Sequence, residues 1–486
     1  MTIKISTEIL IMILNNVQST QDLYSSLLVN RIWCKVAIPI LWELPFGQEC
    51  INYTKALCIR TYISCMDTQA RNLLIQKGFD LSSSPPQATF DYPSFTHKFI
   101  INNLAYFISI YSRNFIGPYQ DSNPRILFRE MCKLIIERCI FLDSFEMTGT
   151  IFFFHDFQNY SDSIGSIFKL PSAPKAFKKL ESFTSTIGDY ELIRPLYDSL
   201  ALICDNILNM DSTLFSYSQA QLFAKLISAQ KRLKNLSIVS YLNLDCNSLL
   251  WAIISQKEKL KSLRLRSVNF YQFERKSAPI GQFISLQELH IVNCYGLRSS
   301  NCLFLASSFT QLSSFHYFYS RYSDDAHHQE FIIKILETAN ANLKNICLDL
   351  YSAITIKIFS AILNYCTKIT ELTLYNLSLE QVITIFNNNF NELKIFSFGY
   401  REEEIDANEL LYKMGKNVPE SLETIKIRMG IFSADSLRKF FEGWCCKGRR
   451  GNKKIIVKRS EQARLFSLNN EHFKVIEEYG VEFNLI

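Results

Sequence analysis

The sequence has no C-x-x-C pair, no glycine-rich phosphate loop and no apolar run long enough to cross a bilayer, and each absence removes a class of function. Its 14 cysteines stand singly apart from Cys445–Cys446, so neither a zinc site nor a dithiol redox centre is expected. They read as small buried groups in a reducing compartment. Cys58 and Cys65, like Cys132 and Cys139, are seven apart, two turns along one helix face. The patterns G-x-x-x-x-G-K-S/T, G-x-G-x-x-G and G-x-S-x-G are all missing, which leaves no nucleotide cradle and no hydrolase elbow. His327–His328 has no further ligands at metal spacing and reads as a loop, and Cys445–Cys446 has no activating arrangement beside it. We therefore expect no enzyme, no cofactor and no metal. The longest uncharged apolar stretch, Phe99 to Ser112, contains Asn102 and Asn103 and falls short of the roughly 20 residues a membrane span needs; it reads as a buried helix. Glu8 interrupts the first apolar stretch and no small-residue cleavage site follows Leu14, so no signal peptide is expected. A net charge of +6 on 486 residues gives no nucleic-acid footprint.

What is abundant is apolar: 48% hydrophobic residues, with 38 Phe and 23 Tyr, enough for a large core. A pattern apolar-x-x-apolar-x-apolar recurs eight times in the second half. It reads Leu233-Leu236-Ile238, Leu260-Leu263-Leu265, Leu286-Leu289-Ile291, Leu312-Phe315-Tyr317, Leu343-Ile346-Leu348, Ile369-Leu372-Leu374, Leu393-Phe396-Phe398 and Leu422-Ile425-Ile427, with starts 24 to 31 residues apart. Leu142-Phe145-Met147 and Leu180-Phe183 are weaker earlier copies. The last two apolar positions, two apart, face one side of a short strand, and the segments between carry helical spacing, as in Leu222, Leu226 and Ala229. Neither strand nor helix covers its apolar side alone, so neighbours must stack. This resembles the leucine-rich-repeat family, in an irregular form: Asn269, and Asn293 with Cys294, stand near the family's post-strand asparagine position, whereas Tyr241 does not. The expected fold is α/β, a solenoid with a parallel sheet on the concave side and helices on the convex side, over residues 140–486 with a C-terminal cap.

Residues 1–46 differ in character. Ser6 suits a helix N-cap and Glu8 the first turn, and Ile9, Leu10, Ile13, Leu14 and Val17 follow. After Gln18–Gln21 a second helix carries Asp22-Leu23 and Leu27-Leu28-Val29-Asn30-Arg31-Ile32-Trp33. Pro39 ends or restarts the chain before Leu41-Trp42. So many large apolar groups exceed what forty residues can bury. The ordered set Asp22-Leu23, Leu27-Leu28-Val29, Arg31, Trp33 and Leu41-Trp42 resembles an F-box, with Ile5-Ser6 in place of the family's Leu-Pro opening. The resemblance implies docking on the Skp adaptor of a cullin-based ubiquitin ligase through Ile5, Ile9, Leu10, Ile13, Leu23, Leu27, Leu28, Val29, Trp33, Leu41 and Trp42, with the repeats selecting a protein substrate in the cytoplasm or nucleus. The alternative is a helical cap for a repeat scaffold or inhibitor with no ligase role, which asks for less order than this set of residues has.

Residues 47–139 read as a helical linker with loops at Leu81–Pro86 and Asp121–Pro124. The basic run Lys447–Lys454 reads as a solvated loop before a strand at Ile455–Val457, and the last segment, with Val475, Ile476, Val481 and Phe483, as a cap. On each strand of the repeat, the residues between the inward apolar ones line the concave face. They place Arg264, Arg266, Glu288, His290, His316, Phe318, Asp349, Glu371, Tyr375, Lys426 and Arg428 where a substrate would lie. Arg264 and Arg266 suit an acidic or phosphorylated ligand. Neither a membrane nor a nucleic acid is expected as a partner.

Overall fold

A computed structural model describes residues 6–17, 19–47, 52–81, 87–115, 124–148, 161–188, 190–241, 247–270, 283–297, 309–319, 325–350, 354–387, 390–399, 406–429, 432–445, 453–459 and 468–485. The fold is α/β, and among the described residues fourteen strands follow one another in chain order. The chain forms two compact units, Met1–Asn235 with Trp251–Ile253, and Leu236–Leu250 with Ile254–Ile486.

The first unit opens with three helices, α1 (Thr7–Asn15), α2 (Thr20–Leu27) and α3 (Arg31–Leu41). Each starts where a small polar side chain takes an orphan backbone N–H. Ser6 accepts from Ile9 N, Ser19 from Asp22 N, and Asn30 Oδ1 from Ile32 N and Trp33 N at 2.9 and 3.0 Å. Leu10, Leu14, Leu23, Val36 and Ala37 form their core, with Val17, Leu27, Trp33, Ile40 and Leu41 packed against it. Pro39 does not end α3 as expected. Only one backbone bond is lost at a proline, burial of Val36, Ala37 and Ile38 holds the turn before it, and Trp42 N still donates to Ile38 O at 3.0 Å.

The strands of this unit are β1 (Lys98–Ile100), β2 (Ser144–Met147), β3 (Ser182–Ser185) and β4 (Asn209–Leu214), paired in parallel. Phe99, Phe145, Phe183 and Met210 stand in register and are buried; the Phe145 and Phe183 rings stack at 6.4 Å and 8°. β1 lies inside the stretch expected to be a helical linker. The helices Asn52–Cys65, Thr68–Gln76, Ile101–Phe115 and Pro124–Arg138 are there too, but the sheet already begins between them. The loop residues 82–86 and 121–123 lie outside the described residues.

The joint between helices and sheet is backbone. Glu43 O accepts from both His97 N (3.1 Å) and Lys98 N (3.0 Å). The same doubled bond recurs one turn on, where His97 O takes Asp143 N and Ser144 N, then Asp143 O takes Glu181 N and Ser182 N, and Glu181 O takes Leu208 N and Asn209 N. Glu43 is thus the first corner of the coil, directly after α3, and Lys98 Nζ adds an ion pair to its carboxylate at 2.7 Å.

β5 (Asn235–Ser240) begins at the boundary. In the second unit β6 (Ser262–Arg266), β7 (Glu288–Val292), β8 (Ser314–Tyr319), β9 (Asn345–Leu350), β10 (Glu371–Leu374), β11 (Ile395–Gly399), β12 (Thr424–Met429), β13 (Lys454–Arg459) and β14 (Glu482–Leu485) pair in parallel. Each of the eight sequence patterns runs into one of the strands β5 to β12, and the leading residue of each, from Leu233 to Leu422, is fully buried. The tail read as a cap contains a helix, Asn470–Tyr479, and the strand β14, which pairs with β13. That helix starts on a capping box of Asn469 and His472 and stops at Gly480, whose φ of +63° is left-handed. His328, read as a loop residue, is buried in the helix Asp325–Ala339, and the Tyr317 hydroxyl hydrogen-bonds its Nδ1. The His327 side chain, Cys446 and most of the basic run (447–452) lie outside the described residues. The helices Ala407–Asn417 and Ala434–Cys445 cross backbone to backbone at Gly415 and Gly443: a Cβ on Gly415 would sit 2.8 Å from Lys439 O, and one on Gly443 would land on the Gly415 carbonyl. Among the described residues no helix is long and apolar enough to cross a membrane.

Candidate interaction surfaces

On the helical module, α1 is apolar nearly all round, so one side must face out once the other is buried. Leu10 and Leu14 point into the core, which leaves Ile9, Met12 and Ile13, at helical spacing, on the outer side; Met12 is 67% exposed. The α2–α3 turn adds Leu28, at 88% exposure, with Val29 and Ile32. Of the residues expected to dock, Ile9, Ile13, Leu28 and Val29 are therefore outward. Leu10 and Leu23 are not: both are buried in the module's own core, because helical spacing alone does not say which of two apolar faces turns inward. Leu27, Trp33 and Leu41 are partly buried against that core. Trp42 packs on Tyr92 and Tyr62, with ring centroids 4.3 and 5.7 Å away, and serves the joint to the sheet. Ile5 lies outside the described residues. Met12, Tyr24 and Ile32 are exposed as well; for Met12 the signal in the sequence is its place one turn from Ile9 on a helix apolar nearly all round.

In the second unit, inward strand residues are buried and most of those between them are accessible, while Ser262, Ser314 and Ser397 are buried as well. The pairing aligns Arg264, His290, His316, Cys347 and Thr373 in one row, and Glu288, Ser314, Asn345 and Glu371 in the next. A third row holds Arg266, Val292, Phe318 and Asp349. Arg264 lies 3.6 Å from Glu288, and Ser262 Oγ donates to the same carboxylate at 3.0 Å. The His290 and His316 rings stack at 4.1 Å and 8°, and His316 Nε2 lies 3.1 Å from Ser314 Oγ. Burial, then the charge cost of a second imidazolium at His316 and of Arg264, pushes His290 down to about 4, against the pull of Glu288. Burial also lowers His316, opposed by Glu371 and Glu288. Tyr375 and Lys426 are half-buried at the end of β10 and on β12. Arg428 holds its register position on β12, and its side chain lies outside the described residues. Cys347, in the middle of this face, is pushed up to about 11 by burial, so it is a thiol at neutral pH and a poor nucleophile.

The first unit also contains a cleft of about 610 Å³ lined by Cys65, Asp67, Arg71, Asp91 and Arg138 among others, which the sequence did not signal. Its charges are partly matched within it, Arg138 pairing with Asp91 at 3.2 Å. Among the described residues no three His, Cys, Asp or Glu side chains converge as metal ligands. No protein-family model matches this chain, and no curated protein sequence matches it.

Proposed function

We propose that the protein is the substrate-recognition subunit of a cullin-based ubiquitin ligase, docking on a Skp adaptor through α1–α3 and holding a protein substrate on the open face of its repeats. The observation that carries this reading is the outward apolar face of the helical module. Its core is already filled by Leu10, Leu14, Leu23, Val36 and Ala37, yet Ile9, Met12, Ile13, Leu28, Val29 and Ile32 remain in water. Large apolar side chains grouped on a small module mark a protein partner. Full burial of each is worth about 1.5–3 kcal/mol before the cost of association. A receptor of this kind contributes proximity, bringing substrate to the transferred ubiquitin, and needs no catalytic side chain of its own. Cytoplasm and nucleus both suit that role.

A second reading, a repeat scaffold whose first helices are only a cap, is favoured by one observation: Glu43 is built into the first corner of the sheet. Co-purification with a Skp adaptor separates the two. The native chain is expected to capture the adaptor, and Leu28→Arg with Met12→Glu to lose it while keeping its helical spectrum, since both positions are outside the core. Truncation of the module is a poorer test because it removes Glu43 from the edge of β1. Failure of the native chain to capture the adaptor leaves the scaffold reading.

A further inference from the structure

The open face of β6–β10 has an order of charge that docking alone does not call for. Arg264 and Arg266 are both exposed on β6; Glu288 offsets one of them through its contact with Arg264, which leaves a net cation at this end. Asp349 on β9 and Glu371 on β10 place two carboxylates at the other end. Between the ends, β7 and β8 present Val292 and Phe318, the latter 36% exposed, beside the stacked His290 and His316 rings. Burial lowers both imidazoles below the ordinary histidine value, so the middle adds no cation at neutral pH. Four interstrand steps of about 4.8 Å separate β6 from β10, roughly 19 Å, which an extended chain at about 3.3 Å per residue covers in some six residues.

We infer that this face takes an extended segment of a partner protein laid across the strands, with an acidic side chain over Arg264 and Arg266, an apolar or aromatic one over Val292 and Phe318, and a basic one over Asp349 and Glu371 about six residues away. The inference deepens the docking reading by naming the chemistry of the bound partner, and it rests on that reading for which face is used. A uniformly acidic segment meets Asp349 and Glu371, a uniformly basic one meets Arg264 and Arg266, and each mismatch costs affinity and specificity. A nucleic-acid strand, negative throughout, suffers the first mismatch where it crosses β9 and β10.

Fluorescence anisotropy of three labelled heptapeptides against the full chain tests this: Glu-Glu-Ser-Phe-Ser-Lys-Lys, Glu-Glu-Ser-Phe-Ser-Glu-Glu and Lys-Lys-Ser-Phe-Ser-Lys-Lys. The mixed peptide is expected to bind at least about tenfold tighter than either uniform one, about 1.4 kcal/mol. Glu371→Lys should erase the preference for the mixed over the all-acidic peptide, because Asp349 then offsets the new lysine, and Arg266→Glu, an independent variant at an exposed site, should transfer the preference to the all-basic one. Equal binding of all three, a preference for a uniform peptide by the native chain, no binding of the mixed peptide, or variants that keep the native preference would each overturn the inference. Adaptor capture by the same preparation is read separately, so a failure here and a failure of the ligase reading are distinguishable.

Discussion

Gly443→Ala puts one methyl group where two helix backbones meet. In a helix interior the change from glycine to alanine normally gains about 1 kcal/mol. Here the new Cβ would fall on the Gly415 carbonyl, and ordinary contact begins only at 3.4 Å. The obstacle is backbone, so no rotamer change relieves it, and the helices Ala407–Asn417 and Ala434–Cys445 must move apart. That opens the layer made by Leu410, Leu411 and Met414 against Leu437, Phe440 and Phe441, all fully buried. Overpacking of a side chain costs about 1–3 kcal/mol, and a backbone clash that also parts this layer belongs at or above the top of that range. After the propensity gain, a net loss of about 2 kcal/mol or more is expected. A chain of two units need not unfold in one step, so the measurement is hydrogen exchange by mass spectrometry over these two helices. About 2 kcal/mol corresponds to roughly thirtyfold faster exchange there. Gly165→Ala is the control: its Cβ would meet only Pro195 Cγ at 3.5 Å, so protection should hold or rise. If Gly443→Ala exchanges no faster than the native chain, the helices do not touch through their backbones and the reasoning is wrong.

Three further outcomes are expected. Phe145→Ala removes the ring between Phe99 and Phe183 and should cost about 3–5 kcal/mol, read as a lower urea midpoint of the first unit; a loss under about 1 kcal/mol would contradict its place in the column. Asn30→Ala removes the acceptor for two backbone donors at the start of α3 and should cost about 1 kcal/mol, with faster exchange at Ile32 and Trp33. His290 is held down to about 4 in the folded chain against an ordinary 6.5, so above pH 6.5 it has no effect on stability. As pH falls from 6.5 towards 4 the unfolded chain takes up a proton that the folded chain refuses, and stability declines. His290→Asn should flatten part of that decline in urea titrations at pH 7, 5.5 and 4, and an unchanged slope would place the pH dependence elsewhere.

The second half of the fold was legible because each turn repeats one rule: a buried leading residue, then two inward positions two apart. The first half obeys the same rule with other residues. β1 to β3 are built on Phe99, Phe145 and Phe183, and in β4 the second inward position is Ser212, whose hydroxyl lies 2.8 Å from the buried Tyr197 hydroxyl. A pattern that demands an apolar residue passes over it. The outward face of α1 could be anticipated in amount but not in direction, since a helix apolar nearly all round has no preferred side until its neighbours are known; hence Leu10 was expected outside and lies inside, and on α2 the lone buried position is Leu23, which the helix turns into the same core. Arg264, Arg266, His290, His316 and Phe318 fell where alternation placed them. The stacking of the two histidines depends on register between strands 26 residues apart, which alternation within one strand does not contain.

The corner carbonyls of the first unit belong to Glu43, His97, Asp143, Glu181 and Leu208, residues that are acidic, aromatic or aliphatic and of different shapes. What they share is a main-chain position, and a main-chain oxygen is present whatever the side chain. These corners should therefore tolerate substitution freely and insertion poorly. One residue added between α3 and Glu43 would offer β1 the wrong carbonyl and turn the helical module to a new direction, whereas replacing Glu43 itself would cost little more than an exposed ion pair. In this part of the chain, aim is encoded in spacing, and residue identity is left free for whatever the surface must bind.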